Sequence, residues 1–444
     1  MQAVQPAIFS SAIQFAVSTN AAMSFYRPLY STTGGDTFRL CSLYPGHFDD
    51  PIQCYIEPFN LHPPPKFEAL SYTWGDPTDR LPIIANGETM LVTKNLATSL
   101  TYLRNCSNAR VLWIDAICIN QNDLGERSKQ VMLMGKIYDV ATRVISWLGI
   151  RDPLFDPFIE MHHATSLFQH IRFLKTHPPF QAYLESNNSP GTPYSGFEKH
   201  KNKFNNGLYS LQLLIGERER EKPAYWQRAW IIQEVIAAKR LILQSGSYII
   251  SEDDIDLVTE FISSPRVSLL MDGRYEERKS KAFFRSNTFV PISIYRSLLH
   301  ENQADAGNGA ARMRGPLQLL SLLKHNRSRL CSDGRDKVYS ILGVSGSVTS
   351  GLSVDYNKSI SEVYTETVQA MIQSSSTLEV LCSANLAETS ELPGLPSWVP
   401  NWDKYKSPDS CERPISYNHQ QATGNVPAKF SFETEGKVKI LSAR

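Results

Sequence analysis

The chain has 444 residues, 42% of them hydrophobic and 20% charged, a globular composition that supports about two or three domains. Its 45 Lys and Arg balance 44 Asp and Glu, leaving a net charge of +1, so no global attraction to nucleic acid or an anionic membrane is expected. No run of about 18 apolar residues is present, which excludes a membrane-spanning helix. The seven cysteines include no CxxC pair, the pattern of reduced thiols in a cytoplasmic protein.

Residues 1–24 are small and weakly apolar, with no Lys or Arg before Arg27, and read as a disordered leader. From 25 to 66, short apolar runs alternate with turn residues, as small strands do. The stretch "FEALSYTWGDP" at 67–77 is an apolar strand stopped by Gly75-Asp76-Pro77, and Asn86-Gly87 marks a hairpin turn between two further strands. Asn95 is a candidate cap for a helix carrying Leu96, Leu100 and Leu103 on one face. "RVLWIDAICI" at 110–119 is uniformly apolar and fits a buried central strand. Residues 127–141 place Val131, Met134, Tyr138 and Ala141 on one helical face, and "RVISWLG" at 143–149 is another buried strand. This alternation predicts an α/β domain over 25–260, with a parallel sheet and flanking helices.

Residues 150–224 read as an insertion of a helix or two with mobile loops. The apolar stretch from Arg228 to Leu243, "RAWIIQEVIAAKRLIL", starts as a helix and runs into a last strand, "RLILQSG". The region 261–444 is expected to be mainly helical. It has a flexible linker at 301–315, Pro316 at a first helical position, and a Ser359–Glu362 capping box for a helix through Ile372. Its final residues read as a hairpin and are expected to continue into further chain.

Several chemistries lack their motif. GxGxxG, GxxxxGK[ST] and GxSxG are all absent. His162, His163, His170 and His177 lie close together but have no partnered cysteines and no HExxH, so no metal is expected. Cys118 sits in an apolar run and reads as a packing thiol. What remains is a set of polar residues at the ends of predicted core elements: Ser71, Tyr72, Trp74, Gly75 and Asp76; Asp115, Asn120 and Gln121; Arg228, Trp230 and Glu234. Ligands of open α/β sheets bind at the carboxyl ends of the strands, where these clusters would converge. Glu234 follows Trp230 by four residues, which puts carboxylate and indole on one helix face. Each also has a structural reading taken singly. Asp115 would cap a turn, Trp74 would be a core aromatic, and Glu234 would pair with Lys239 or Arg228 on a helix surface.

Together "FEALSYTWGDP", "LWIDAICINQNDLGERSKQVMLMGKIYDVATRVISWLG" and "RAWIIQEV" resemble the HET (heterokaryon incompatibility) domain of filamentous fungi. The resemblance continues in "GRDKVYSILGV", "VDYNKSISEVYTETVQAMI" and "LPSWVPNW" and covers residues 25 to 444. HET domains in turn are similar to TIR domains, which implies a TIR-like, flavodoxin-like sheet. Many TIR proteins carry a tryptophan–glutamate pattern that "WIIQEV" fits apart from Val235. In the TIR enzymes that glutamate cleaves NAD, so the resemblance puts the catalytic role on Glu234, with Trp230 beside the nicotinamide and the other clustered residues, Asp76 apart, binding NAD as substrate. It also implies self-association in the active state, another incompatibility protein as a candidate partner, and a role in programmed death after nonself recognition. The competing reading is a non-catalytic signalling module that docks onto another HET or TIR-like domain. Two features depart from the TIR pattern. Thr73-Trp74-Gly75 stands where TIR enzymes tend to have a basic residue, and the insertion at 150–224 precedes the candidate catalytic helix, where it could cover the site.

Overall fold

The computed structural model describes residues 26, 29, 35–150, 156–185, 201–214, 224–263, 267, 319–324, 326–345, 351–375, 377–384, 391–404, 430–435 and 438–443. The leader at 1–24 and the linker at 301–315 lie outside them. Two antiparallel strands open the described chain, β1 (Thr37–Leu43) and β2 (Gln53–Asn60). After β3 (Glu68–Tyr72), the hairpin β4 (Arg80–Ala85) and β5 (Glu88–Thr93) turns through Asn86 and Gly87 at φ 52° and 83°, the left-handed pair that a tight hairpin requires. Then come α1 (Lys94–Leu103), β6 (Arg110–Trp113), the short α2 (Asp115–Cys118), α3 (Leu124–Val140) and β7 (Val144–Trp147). The insertion supplies α4 (Pro157–Thr176), α5 (Pro178–Glu185) and α6 (Lys201–Leu214). Next are α7 (Ile231–Ile236), β8 (Leu241–Ser245), β9 (Tyr248–Ser251) and α8 (Glu252–Ser263).

Nine strands form one sheet in the order β5-β4-β2-β1-β6-β3-β7-β8-β9. Its centre is parallel: β6, β3, β7 and β8 pair in the same direction. In chain order these are the second, first, third and fourth strands, which is the flavodoxin-like arrangement. Antiparallel pairs then extend this core on both sides, β1 against β6 and β9 against β8. Covered on both faces, β7 and β8 are buried at every residue, whereas β2 alternates exposed and buried positions.

Three local expectations are corrected. The run 110–119 is not one strand: β6 stops at Trp113, and the Asp115 side chain accepts a bond from Ala116 N (2.7 Å), the local pairing that favours a turn over a strand. Asn95 does not cap α1, which begins one residue earlier. Its amide instead donates to Thr73 O (2.6 Å) and accepts from Trp147 Nε1 (3.0 Å). The helix at 228–243 is six residues long, because four of them are β-branched isoleucine or valine and the following segment is drawn into the sheet. The β8–β9 hairpin was not expected, although Gly246 supplies its turn at φ 56°.

The insertion packs on the β8–β9 side of the sheet, with Phe158 at the start of α4 against Gly246 at the end of β8. α4 lies against α6, α8 and β9, and Phe180, Phe204 and Phe261 join α5, α6 and α8 with ring centroids 5.8 Å apart. Beyond the sheet stand a helical segment at 319–324, α9 (Asp336–Leu342) and α10 (Ile360–Ser375). The capping box of α10 is present: Ser359 N donates to Glu362 Oε2 (2.8 Å) and Glu362 N to Ser359 Oγ (3.2 Å). The hairpin β10 (Phe430–Glu435) and β11 (Val438–Ala443) follows. Among the described residues no helix is long and apolar enough to cross a membrane.

α9 reaches the sheet domain through a close three-helix joint. Gly135 of α3 faces Gly343 at the end of α9, and a Cβ at Gly135 would lie 2.5 Å from Gly343 O. Gln233 of α7 fills the remaining space. With its amide turned to suit both neighbours, it accepts from Gly135 N (3.0 Å) and donates to Ser340 O (3.3 Å). A side chain on either glycine would hold these helices apart.

Candidate active site

The carboxyl ends of β3 and β6 and the start of α7 enclose a cavity of about 320 Å³. Six of the ten candidate catalytic and NAD-binding residues line it: Trp74, Gly75, Asp115, Gln121, Arg228 and Trp230. The other four do not. Ser71, Tyr72 and Glu234 are buried behind its wall, each 1% exposed, and Asn120 shapes the loop before α3.

Each lining side chain has a local cause. β3 ends at Tyr72, and Gly75 takes φ 80°, a left-handed turn that leaves Trp74 projecting at 42% exposure. Trp74 Nε1 donates to Asp115 Oδ2 (2.9 Å), and Gln121 Nε2 donates to Asp115 O (2.9 Å). The loop carrying Asp115 and Gln121 is pinned from below by Arg39. This buried guanidinium donates to both oxygens of Glu126 (2.6 and 2.9 Å) and to Cys118 O (3.2 Å). Cys118 is a packing thiol as expected: it is fully buried, and burial pushes it up to about 12.

Glu234 lies one residue behind the cavity. Arg228 donates to both its oxygens, Nη1 to Oε2 and Nη2 to Oε1, at 3.2 Å each, and the Ser71 hydroxyl bonds to Oε2. Ser71 Oγ also bonds Tyr225 Oη (2.7 Å), which donates to Ser146 Oγ (2.6 Å). Glu234, Ser71, Tyr225 and Ser146 thus form one network across the ends of β3 and β7. The Tyr72 hydroxyl, also buried, has no hydrogen-bond partner among the described residues. Burial lowers the Arg228 pKa, but Glu234 and then Asp115 more than reverse this, so it stays above its ordinary value. Burial pushes Asp115 up to about 6, with Glu234 adding to the rise and Arg228 opposing it.

The shared helix face expected for Trp230 and Glu234 is therefore divided. Trp230 enters the cavity, and Glu234 turns toward the sheet and is clamped by Arg228. The pairing with Arg228 exists, but inside the protein and not on a helix surface.

The other wall comes from a segment a hundred residues further on. Leu330, Cys331, Ser332, Asp336 and Tyr356 line the cavity opposite Trp74. Leu330 bridges to Arg228 in parallel fashion, with Ala229 N donating to Leu330 O (2.9 Å). Asp336 accepts from Trp230 Nε1 (3.3 Å) and Tyr356 Oη (2.8 Å), and the Arg127 guanidinium stacks 3.9 Å above the Tyr356 ring. Burial pushes Asp336 up to about 6 as well, opposed by its bonds from Tyr356 and Trp230. Two indole–carboxylate pairs, Trp74–Asp115 and Trp230–Asp336, thus face one space. Asp336 lies in "GRDKVYSILGV", a stretch recognisable in the sequence whose link to Trp230 has no sequence signal. Tyr225 had no signal at all.

Among the described residues of α4, α5 and α6, none lines this cavity. His162 bonds Tyr248 Oη (2.9 Å) and His163 bonds Ser210 Oγ (3.3 Å). Among the described residues no group of three or more His, Cys, Asp or Glu gathers to hold a metal ion.

The family profile described as heterokaryon incompatibility protein (HET) matches residues 67–234, from the residue before β3 to Glu234 itself. The chain carries a HET domain. It is also 27% identical over 411 residues to heterokaryon incompatibility protein 6, OR allele, of Neurospora crassa. That alignment takes in 82% of this chain and 57% of the relative, so the chain spans a little over half the length of the curated protein it matches. No solved structure matches it. The HET match includes every residue of the Glu234 network. It ends before Leu330, Asp336 and Tyr356, so the HET segment supplies one wall of the cavity and the following region the other.

Proposed function

We propose that this chain is an effector of fungal nonself recognition that cleaves NAD to nicotinamide and ADP-ribose in the cytoplasm. The observation that carries the reading is the convergence of Trp74, Trp230, Asp115 and Arg228 on one cavity at the carboxyl ends of the parallel strands, with Glu234 one residue behind. Nicotinamide leaves NAD from a pyridinium, so no general acid has to protonate it. Indole faces suit that flat cation, and a carboxylate near the ribose stabilises the oxocarbenium-like charge that develops as the bond breaks; water then adds at the ribose C1′ and releases a proton, giving ADP-ribose. Glu234 takes this role once Arg228 releases it. The pyrophosphate of an incoming dinucleotide offers Arg228 a competing anionic partner. Self-association completes the active state, as the TIR resemblance implies.

A non-catalytic docking module is the second reading. It is favoured by the 1% exposure of Glu234 and by the engagement of both its oxygens. Nicotinamide release from NAD by concentrated protein, wild type beside Glu234→Gln, separates the two, with near-UV dichroism confirming that the variant is folded. The enzyme reading expects release to fall by about two orders of magnitude, the scale of a lost electrostatic transition-state contact. Release retained in the variant moves the chemistry to another residue. No release from either protein, folded and self-associated, makes the docking module the better account.

A further inference from the structure

A second cavity, of about 530 Å³, adjoins the first and is unused by the chemistry above. It opens between the loops leaving β3 and β7, with Thr73, Gly75 and Asp76 on one side and Leu148 and Gly149 on the other. β3 and β7 are the first and third strands of the parallel core. Their crossovers run to opposite sides, β3 toward β6 and β7 toward β8. This crevice is therefore the topological switch point, the place where open α/β sheets take their ligands. The first cavity lies one strand over, toward β6. The two share Thr73 and Gly75, so that loop is a saddle between them.

The saddle is built and braced. Asn95 ties Thr73 O to Trp147 Nε1 across the crevice, and Gly75 and Gly149 take φ 80° and 83° on its two sides. Tyr225 lines the second cavity, and its hydroxyl leads through Ser71 to Glu234. Arg228 reaches the same carboxylate from the first cavity. Leu148, Ile150 and Ala224 offer the second cavity apolar surface, and Asp76 and Asp79 lie with them as acceptors for hydroxyls. Lys94 also lines it, is 62% exposed, and meets Asp79 only at 3.4 Å, which leaves its charge usable by a phosphate.

We infer that this second cavity is a nucleoside monophosphate subsite, the other half of a bipartite dinucleotide site whose first half is the cavity of Trp74 and Trp230. The inference rests on the NAD reading for its first half only. The test is calorimetric titration of the full chain with AMP, adenosine and nicotinamide mononucleotide. Thr98→Trp, placed on α1 to fill the second cavity, and Lys94→Glu, at its exposed rim, are compared with Trp74→Ala in the first. AMP is expected to bind wild type, and to bind about tenfold more weakly to Thr98→Trp and Lys94→Glu. Lys94→Glu should leave adenosine unaffected, and Trp74→Ala should weaken only the nicotinamide mononucleotide. In nicotinamide release, Lys94→Glu should raise KM and spare kcat. Wild type that ignores millimolar AMP, or AMP affinity unchanged in Lys94→Glu, overturns the subsite even if NAD is cleaved. AMP binding that follows this pattern without nicotinamide release leaves the subsite standing and removes the cleavage reading alone.

Discussion

The Arg228–Glu234 pair holds the strand-end network together. The Glu234 side chain is 1% exposed and the Arg228 side chain 16%, with two bonds of 3.2 Å between them. Removing one partner of such a pair leaves a buried charge uncompensated and costs about 3–5 kcal/mol, whereas replacing both with apolar groups is often close to neutral. Arg228→Met strands two carboxylates, because Asp115 also leans on this guanidinium; Glu234→Met strands one cation that still has Asp115 nearby. Arg228→Met should therefore be the more damaging. The double variant should recover to within about 2 kcal/mol of wild type, the residue being the Ser71 hydroxyl that loses its acceptor. Glu234→Gln keeps the shape and one oxygen to accept from Arg228 but loses the charge and the second acceptor, and should cost about 2–3 kcal/mol, less than Glu234→Met. Urea midpoints followed by tryptophan fluorescence and far-UV dichroism measure these differences, with coincidence of the probes establishing a single transition. A double variant no more stable than Arg228→Met, or an Arg228→Met within about 1 kcal/mol of wild type, would refute the reasoning.

Other expectations follow from the joint between the HET segment and the region beyond it. Asp336 binds its proton more tightly folded than unfolded, its pKa being about 6 against the ordinary 3.8. Its contribution to stability is therefore present below about pH 4, declines as pH rises to 6 and is lost above, a change on the order of 3 kcal/mol. Asp336→Asn, which cannot ionise, should reduce the fall of the urea midpoint between pH 4 and 7 by about half, the rest belonging to Asp115, whose pKa is raised likewise; an unchanged slope would contradict the burial argument. Gly135→Ala should destabilise by about 1–3 kcal/mol through its clash with Gly343 O, although helix propensity alone favours alanine by about 1 kcal/mol, so the sign of the midpoint shift decides between packing and propensity. Ser359→Ala should cost about 1 kcal/mol and speed amide exchange in the first turn of α10, leaving the exchange of α9 as it was.

The sequence was readable where one local pattern decides the outcome. Continuous apolar runs marked β7 and β8, Asn86-Gly87 marked a hairpin, Ser359 and Glu362 marked a cap, and strand–helix alternation led to the parallel core. It was misleading where a side chain serves a distant partner. Asn95 looks like a cap in isolation, yet its amide bridges two strand ends that lie 22 and 52 residues away. Trp230 and Glu234 look like a matched pair on one helix face. A helix of six residues instead aims them at different neighbours, Asp336 a hundred residues on and Ser71 far upstream. Six of the ten candidate catalytic and NAD-binding residues meet at the cavity because polar residues at strand ends are collected there by topology. Arg39 and Tyr225, which hold the loop and the network in place, sit in stretches with no such mark.

The division of labour between the matched HET segment and the region after it follows from the bonds around Arg228. Residues 67–234 contain the carboxylate, the clamp and the hydroxyl chain, and by sequence similarity they are the part shared with the family. Yet the backbone on either side of Arg228 is tied to Leu330, by Ala229 N to Leu330 O and by Leu330 N to Gln227 O. Trp230, two residues on, is held by Asp336, and α9 is seated by the glycine contact with α3. A shift of residues 330–336 therefore acts directly on the chain at 227–230. Arg228 sits in the middle of that stretch and is the group that keeps Glu234 from the cavity. A partner bound to the C-terminal region could thus change the exposure of Glu234 without touching it. Control of the carboxylate in this chain would then lie outside the HET match, in contacts that the family profile does not cover.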